Sequence, residues 1–105
     1  MSYSYVVRIA IDDASIVDPY VAWLRDPHLA DVCAAGAEHA ELVLLDSPPH
    51  AVEARYRFPS REAFATYERE HAPRLRAQGL ELLATLGVTP NRVTFTRTTG
   101  EILPR

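Results

Sequence analysis

The sequence predicts an α+β sandwich, with two helices on one face of a four-stranded antiparallel sheet. Three observations predict it. Segments of strand and helix periodicity follow one another as strand, helix, strand, strand, helix, strand within 105 residues. The alternating stretch Val52 to Phe58 runs through Pro59-Ser60 straight into a long amphipathic helix. Two of the strands are apolar on both faces, although two helices can shield only one.

The first strand spans Tyr3 to Ile11. Tyr5, Val7, Ile9 and Ile11 share one face, and Val6, Arg8 and Ala10 the other, where only Arg8 interrupts the apolar run. Asp12-Asp13 ends it, and Ser15 or Asp18 can cap the first helix, with Pro19 placed in its first turn. Val17, Tyr20, Val21, Leu24 and His28 then recur at spacings of three and four, continued by Val32. Asp26-Pro27 interrupts the stripe, because proline lacks the helical amide and restricts the residue before it. The expectation is a kink, or a second short helix capped by Asp26 and ending at Gly36.

Ala37 to Asp46 is the second strand, and its run Leu42-Val43-Leu44-Leu45 predicts burial of both faces. Ser47-Pro48-Pro49-His50 supplies turn chemistry, so the second and third strands are expected to form a hairpin. In the third strand Val52, Ala54, Tyr56 and Phe58 fall on one side and Glu53, Arg55 and Arg57 on the other. Ser60 caps the next helix, whose stripe is Phe64, Tyr67, His71 and Leu75; Pro73 should bend or restart it, and Gly87 is its natural stop. The last strand, Asn91 to Thr99, sets Val93 and Phe95 against Thr94, Thr96 and Thr98. This order is a ferredoxin-like βαββαβ layout, and residues 1–105 are expected to be one domain, since the chain is too short for two cores.

Something must cover the second sheet face, and a second copy of the chain is the simplest cover. Two sheets packed face to face would make a barrel across a two-fold axis. The polar residues of that face are Arg8, Glu53, Arg55, Arg57, Thr94 and Thr96. They can pair with one another and with Glu38 or Glu41 as an interface network, or arginines lining a cavity can recognise a carboxylate or phosphate of a small ligand.

Composition narrows the partners. The net charge of −3 argues against nucleic acid, which needs clustered cations. All eleven cations are arginines, which fits a GC-rich genome as readily as a need for planar donors. The N-terminus carries no charged region followed by a long apolar run, and the single Cys33 cannot form an internal disulfide, so a cytoplasmic address without membrane association is expected. Cys33 reads as a small apolar filler.

The stretches VDPYVAWLRDPHLADVCAAG, EARYRFPSREAFATYEREHAPRLR and RVTFTRTTGEIL together resemble a family of small bacterial proteins known only as a domain of unknown function, itself similar to the broader dimeric α/β-barrel superfamily. The resemblance covers nearly the whole chain and departs at LELLATLG, where an aromatic residue is expected after the LR of the motif. It implies a ferredoxin-like homodimer. The superfamily includes cofactor-free monooxygenases, isomerases, haem-degrading enzymes and proteins without known activity, and the resemblance transfers no catalytic residue.

The ligand-binding candidates are His28, His71, Tyr56, Arg57, Arg8, Arg55 and Tyr67. His28 and His71 occupy the apolar stripes of their helices and would approach each other if both stripes pack on one sheet face. Each can act as a base, bind haem or a metal, or sit half-buried with a carbonyl or Tyr67 as partner. Tyr5, Tyr56 and Tyr67 can donate to a ligand oxygen, or serve as core with the hydroxyl at its edge. Trp23 lies one position off its stripe and reads as helix-edge or dimer-seam packing; Arg74 and Arg76 read as solvent-facing or paired with Glu70. His39 and His50 have no ligand spacing, and there is no HxxxH, CxxC, Ser-His-Asp order, glycine-rich phosphate loop or useful carboxylate pair, so no cofactor and no metal are expected.

The reading is a homodimer that binds a small organic molecule in its barrel or helix-sheet cleft, with cofactor-free oxygenation or isomerisation as the chemistry; the alternative is a non-catalytic interaction module. A cavity of roughly 300 Å³ or more lined by the candidates favours binding, and a filled interface favours the module.

Overall fold

The computed structural model of the chain describes residues 1–47 and 50–105. Its elements are β1 (Tyr3–Ile11), α1 (Ala14–Trp23), a wide helical turn (Leu24–His28), α2 (Leu29–Ala34), β2 (His39–Leu44), β3 (Ala51–Phe58), α3 (Arg61–Glu70), α4 (Ala72–Thr85), a short 3₁₀ turn (Pro90–Arg92) and β4 (Val93–Glu101). The sheet is antiparallel with strand order β2-β3-β1-β4, which is the ferredoxin-like fold.

Strand register follows the alternation. Tyr5 lies opposite Tyr56 and Thr99, and Ile9 opposite Val52 and Phe95, all on the face toward the helices. Arg8 lies opposite Glu53 and Thr96, and Val6 opposite Arg55, on the open face. The helices cover only the first of these faces, as expected from their number. The run Leu42 to Leu44 is not buried on both sides within the chain: β2 is an edge strand, Leu42 and Val43 are half-buried, and Leu44 is 67% exposed.

Helix boundaries show where local chemistry decides. Asp13, rather than Ser15 or Asp18, caps α1, its carboxylate accepting from the Ser15 amide at 3.0 Å, so Pro19 falls inside the helix, beyond the first turn. The kink at Asp26-Pro27 is present: Asp26 leaves helical geometry (φ −154°, ψ 115°), and the helix resumes without a side-chain cap. Ser60 caps α3 by accepting from the Ala63 amide at 3.0 Å. The restart ahead of Pro73 takes place at His71, and Gly87, at φ 81°, supplies the left-handed residue that stops α4. In the expected β2–β3 turn, Pro48 and Pro49 lie outside the described residues; β2 and β3 pair as an antiparallel hairpin.

The core on the helix face divides into two clusters. One gathers Tyr3, Tyr5, Tyr56, Phe58, Tyr67 and Leu75 with smaller residues; the other gathers Ile9, Ile11, Ile16, Tyr20, Leu24 and Leu83 with theirs. Val7 and Leu42 touch both clusters and are only half-buried, so the middle of the sheet is not sealed by the helices above it.

Candidate functional site

That seam is a cavity of about 310 Å³ between the sheet and α1, α3 and α4. Its floor is Tyr5, Val7, Ile9, Ala54, Tyr56 and Phe95, the helix-facing positions of three strands. Its walls come from Tyr20, Trp23 and His28 on one side and Tyr67, Arg76 and Gly79 on another. Arg97, exposed and next but one after Phe95 along β4, also lines it.

Trp23 and His28 form one wall as a stack, their ring centroids 4.4 Å apart and their planes 25° apart. The break at Asp26-Pro27 puts His28 beyond the kink and under the indole. Gly79 accommodates the other side: a Cβ there would come within 3.1 Å of the indole of Trp23 and 3.5 Å of the Tyr20 hydroxyl. Glycine inside a helix costs about 1 kcal/mol relative to alanine, so here it marks a close approach.

Two polar atoms of the wall, His28 Nδ1 and Arg76 Nε, are buried without a hydrogen-bond partner among the described residues. Such orphans are rare in folded proteins because each forfeits a bond that water would have supplied. Burial draws the His28 pKa down to about 4, opposed by the nearby Asp31, so the ring is neutral at pH 7. Arg76 donates through Nη2 to the Tyr5 hydroxyl at 3.3 Å and to Glu68. The hydroxyls of Tyr20, Tyr56 and Tyr67 have no hydrogen-bond partner among the described residues. Burial pushes Tyr20 up to about 12 and raises Tyr56 and Tyr67 further, so all three stay protonated at neutral pH.

The structure therefore brings together three of the sequence candidates, His28, Tyr56 and Tyr67, and separates the rest from them. Arg8, Arg55 and Arg57 lie across the sheet on the open face, where Arg55 pairs with Glu53 at 2.8 Å and Arg57 with Glu38 at 3.0 Å. A second hollow of about 200 Å³ lies there, lined in part by Ser4, Val6, Glu41, Arg55 and Arg57. His71 does not line the cavity; it sits in the α3–α4 joint with Nδ1 3.2 Å from Arg74 Nη2, so the two histidines do not share a site. Trp23 is a cavity wall rather than edge packing, and Arg76 is half-buried and paired with Glu68 rather than turned to solvent or to Glu70.

The residues that sequence reading passed over were Arg76, Arg97, Tyr20 and Gly79, and each carried a signal. Arg97 shares the parity of Val93 and Phe95, and Arg76 lies on the stripe Ala72, Gly79 and Leu83 at spacings of three and four. No group of three His, Cys, Asp or Glu side chains suited to a metal ion occurs among the described residues, and no described helix is long and apolar enough to cross a membrane.

Comparison with solved structures supports the same class of fold. Rv0793 from Mycobacterium tuberculosis superposes with TM-score 0.67 at 16% identity, over 100% of this chain and 98% of that one. SnoaB, a cofactor-independent oxygenase from Streptomyces nogalater, gives 0.66 at 11% identity over 99% and 95%. A dimeric ferredoxin-like protein from an uncultured marine organism gives 0.64 at 10% identity over 99% and 97%. At these identities the likeness establishes the ferredoxin-like fold. No family model matches the chain, and no curated protein matches its sequence.

Proposed function

We propose that the chain binds a small, largely apolar organic molecule in the helix-sheet cavity and acts on it as a cofactor-independent oxygenase. The observation that carries this reading is a 310 Å³ aromatic-walled cavity in which His28 Nδ1 and Arg76 Nε are left without partners. Its volume is at the lower end of the range for ligand sites, so the ligand is correspondingly compact. The oxygenase named among the fold neighbours supports the choice of chemistry by analogy of fold.

Oxygenation without a cofactor requires that the substrate itself supply electrons to dioxygen. An enolisable aromatic ketone does so: its C–H proton passes to solvent, the resulting enolate adds O₂ at carbon, and the peroxide takes a proton back and loses water to leave a new carbonyl. The overall balance is CH₂ plus O₂ to C=O plus H₂O. A cavity lined by the rings of Trp23, Tyr20 and Tyr56 suits a flat substrate of this kind.

The protein is further read as a cytoplasmic homodimer of one-domain subunits, allied to the uncharacterised bacterial family its motifs resemble. The sheets would pair through the open faces, whose Val6, Ala10 and Val43 are half-buried and have no helix over them. The dimeric neighbour supports this arrangement.

The test is oxygen uptake with anthrone-type ketones in chelator-treated buffer under ¹⁸O₂. The expected result is uptake above the protein-free rate with one labelled oxygen in the ketone product. Tight binding without uptake across such a panel would leave a binding protein and remove the oxygenase.

A further inference from the structure

Resting on the reading of the cavity as a binding site for an organic molecule, we propose that its ligand is held as an anion, through a negatively charged oxygen of a carboxylate or of an enolate or phenolate carried on an apolar body. The argument is an inventory of what the walls can offer. Among the described residues Arg76 and Arg97 bring the only formal charges in the lining, both positive, and no carboxylate lines the cavity. Glu68 engages Nη2 of Arg76 and leaves Nε without an acceptor. Arg97 has no carboxylate partner among the described residues; its guanidinium lies 5.5 Å from the centre of the Phe95 ring.

The remaining polar groups point the same way. Imidazolium carries an N–H on both ring nitrogens, and in His28 one of these would be the closed-off Nδ1, which has no acceptor. The neutral ring keeps the smaller cost by leaving a lone pair at Nδ1, since orphaned N–H groups are the rarer defect. Its proton then sits on Nε2, the nitrogen left to meet a ligand, which makes His28 a donor rather than a base. The unpartnered hydroxyls of Tyr20, Tyr56 and Tyr67 add three more O–H groups. Every charged or obligate group in the lining donates, and apart from the closed-off His28 Nδ1 only the hydroxyl oxygens accept. A ligand cation would find two arginines and, in the lining, no carboxylate free to pair with it, since Glu68 is already engaged by Arg76, whereas an oxyanion would find donors in a weakly polar enclosure where charge-assisted bonds are strong.

The experiment compares three isosteric probes, 4-phenylbutyrate, 4-phenylbutanamide and 4-phenylbutan-1-amine, by calorimetry and by the emission of Trp23, the single tryptophan of the chain. The carboxylate is expected to bind about tenfold or more tighter than the amide, and the amine weakest. Arg97 is exposed, so Arg97→Gln should fold normally and narrow that preference, while Arg97→Lys keeps it. A fourth probe, 4-nitrophenol, measured on either side of its own ionisation, separates the sources: tighter binding of the ionised form extends the class to phenolates and enolates, and carboxylate preference alone restricts it to acids. Equal binding of the three isosteres, or preference for the amine, would overturn the anion inference and leave the cavity reading standing. If no probe binds or moves Trp23 emission, both fall.

Discussion

The two faces of the sheet treat their polar side chains in opposite ways. On the open face two arginines find acids: Arg57 donates to Glu38 and Arg55 to Glu53, with exposed Thr94, Thr96 and Thr98 alongside. On the helix face Arg76 reaches the Tyr5 hydroxyl and Glu68 through one nitrogen, but its Nε and His28 Nδ1 are buried without a partner among the described residues. A matched pair has little left to offer a ligand, whereas an unmatched donor in a hollow carries a cost that a ligand can remove. Charge density points to the open face of the sheet, and hydrogen-bond satisfaction points to the helix face.

The largest expected effect tests whether the helix face also carries the stability. Phe58 is fully buried and packs against Tyr67 with ring centroids 5.2 Å apart. Phe58→Ala should cost about 3–5 kcal/mol in urea unfolding, enough to unfold much of a marginally stable domain. A loss below 1 kcal/mol would mean that the cluster around it is not the core it looks like.

His28 gives the next effect. Its folded pKa of about 4 lies below the ordinary value of 6.5, so between these limits the unfolded chain binds the proton and the folded chain does not. Stability is therefore fully present above about pH 6.5 and falls as the pH drops toward 4, by on the order of 2 kcal/mol once the partly solvated ring is allowed for. Chemical denaturation at a series of pH values should show this slope, and His28→Gln should remove it. Trp23 emission, reporting on the stacked ring, should change near pH 4 rather than near 6.5. A transition at 6.5 would mean that the ring is solvated and the wall open.

How much of this was legible in the sequence depends on how local the deciding physics is. Alternation placed Val52, Ala54, Tyr56 and Phe58 on one side and Glu53, Arg55 and Arg57 on the other, because side-chain direction in a strand is set residue by residue. Ser60 and Gly87 marked helix ends for the same reason, although Asp13 outcompeted Ser15 and Asp18 as the first cap through a choice between neighbouring side chains. The cavity was not legible, because it is the space between two clusters and depends on where α1 and α4 sit over the sheet. Arg76 was read as a surface residue on the strength of its charge, while its position on the stripe of Ala72, Gly79 and Leu83 said otherwise. His71 belonged to a stripe by spacing, yet the restart ahead of Pro73 took it out of the helix.

Gly79 sharpens the comparison at smaller amplitude. Gly79→Ala gains about 1 kcal/mol of helix propensity, while its Cβ meets the indole at 3.1 Å and costs about 1–3 kcal/mol if Trp23 cannot yield. The net change in stability should lie between a gain of about 1 kcal/mol, if the indole yields, and a loss of about 2 kcal/mol, if it does not, and the tryptophan emission and the affinity for cavity probes should both change. An unchanged spectrum with unchanged affinity would show that the wall has slack.

The smallest effect in isolation lies on the open face, where its dependence on concentration is the informative part. The side chains of Arg57 and Glu38 are 48% and 41% exposed in the single chain, and such a pair is worth under about 1 kcal/mol. Arg57→Ala should therefore barely shift unfolding measured on dilute monomer. If a second sheet covers this face, the same change strands the Glu38 carboxylate in an interface, where an unpaired charge is far more expensive. Sedimentation should then show the dimer of Arg57→Ala dissociating at least about tenfold more readily, with Arg57→Ala plus Glu38→Gln recovering part of the loss. Equal dissociation of variant and parent would place the dimer contact elsewhere, and would leave the open face as a solvated surface whose ion pairs do no more than satisfy themselves.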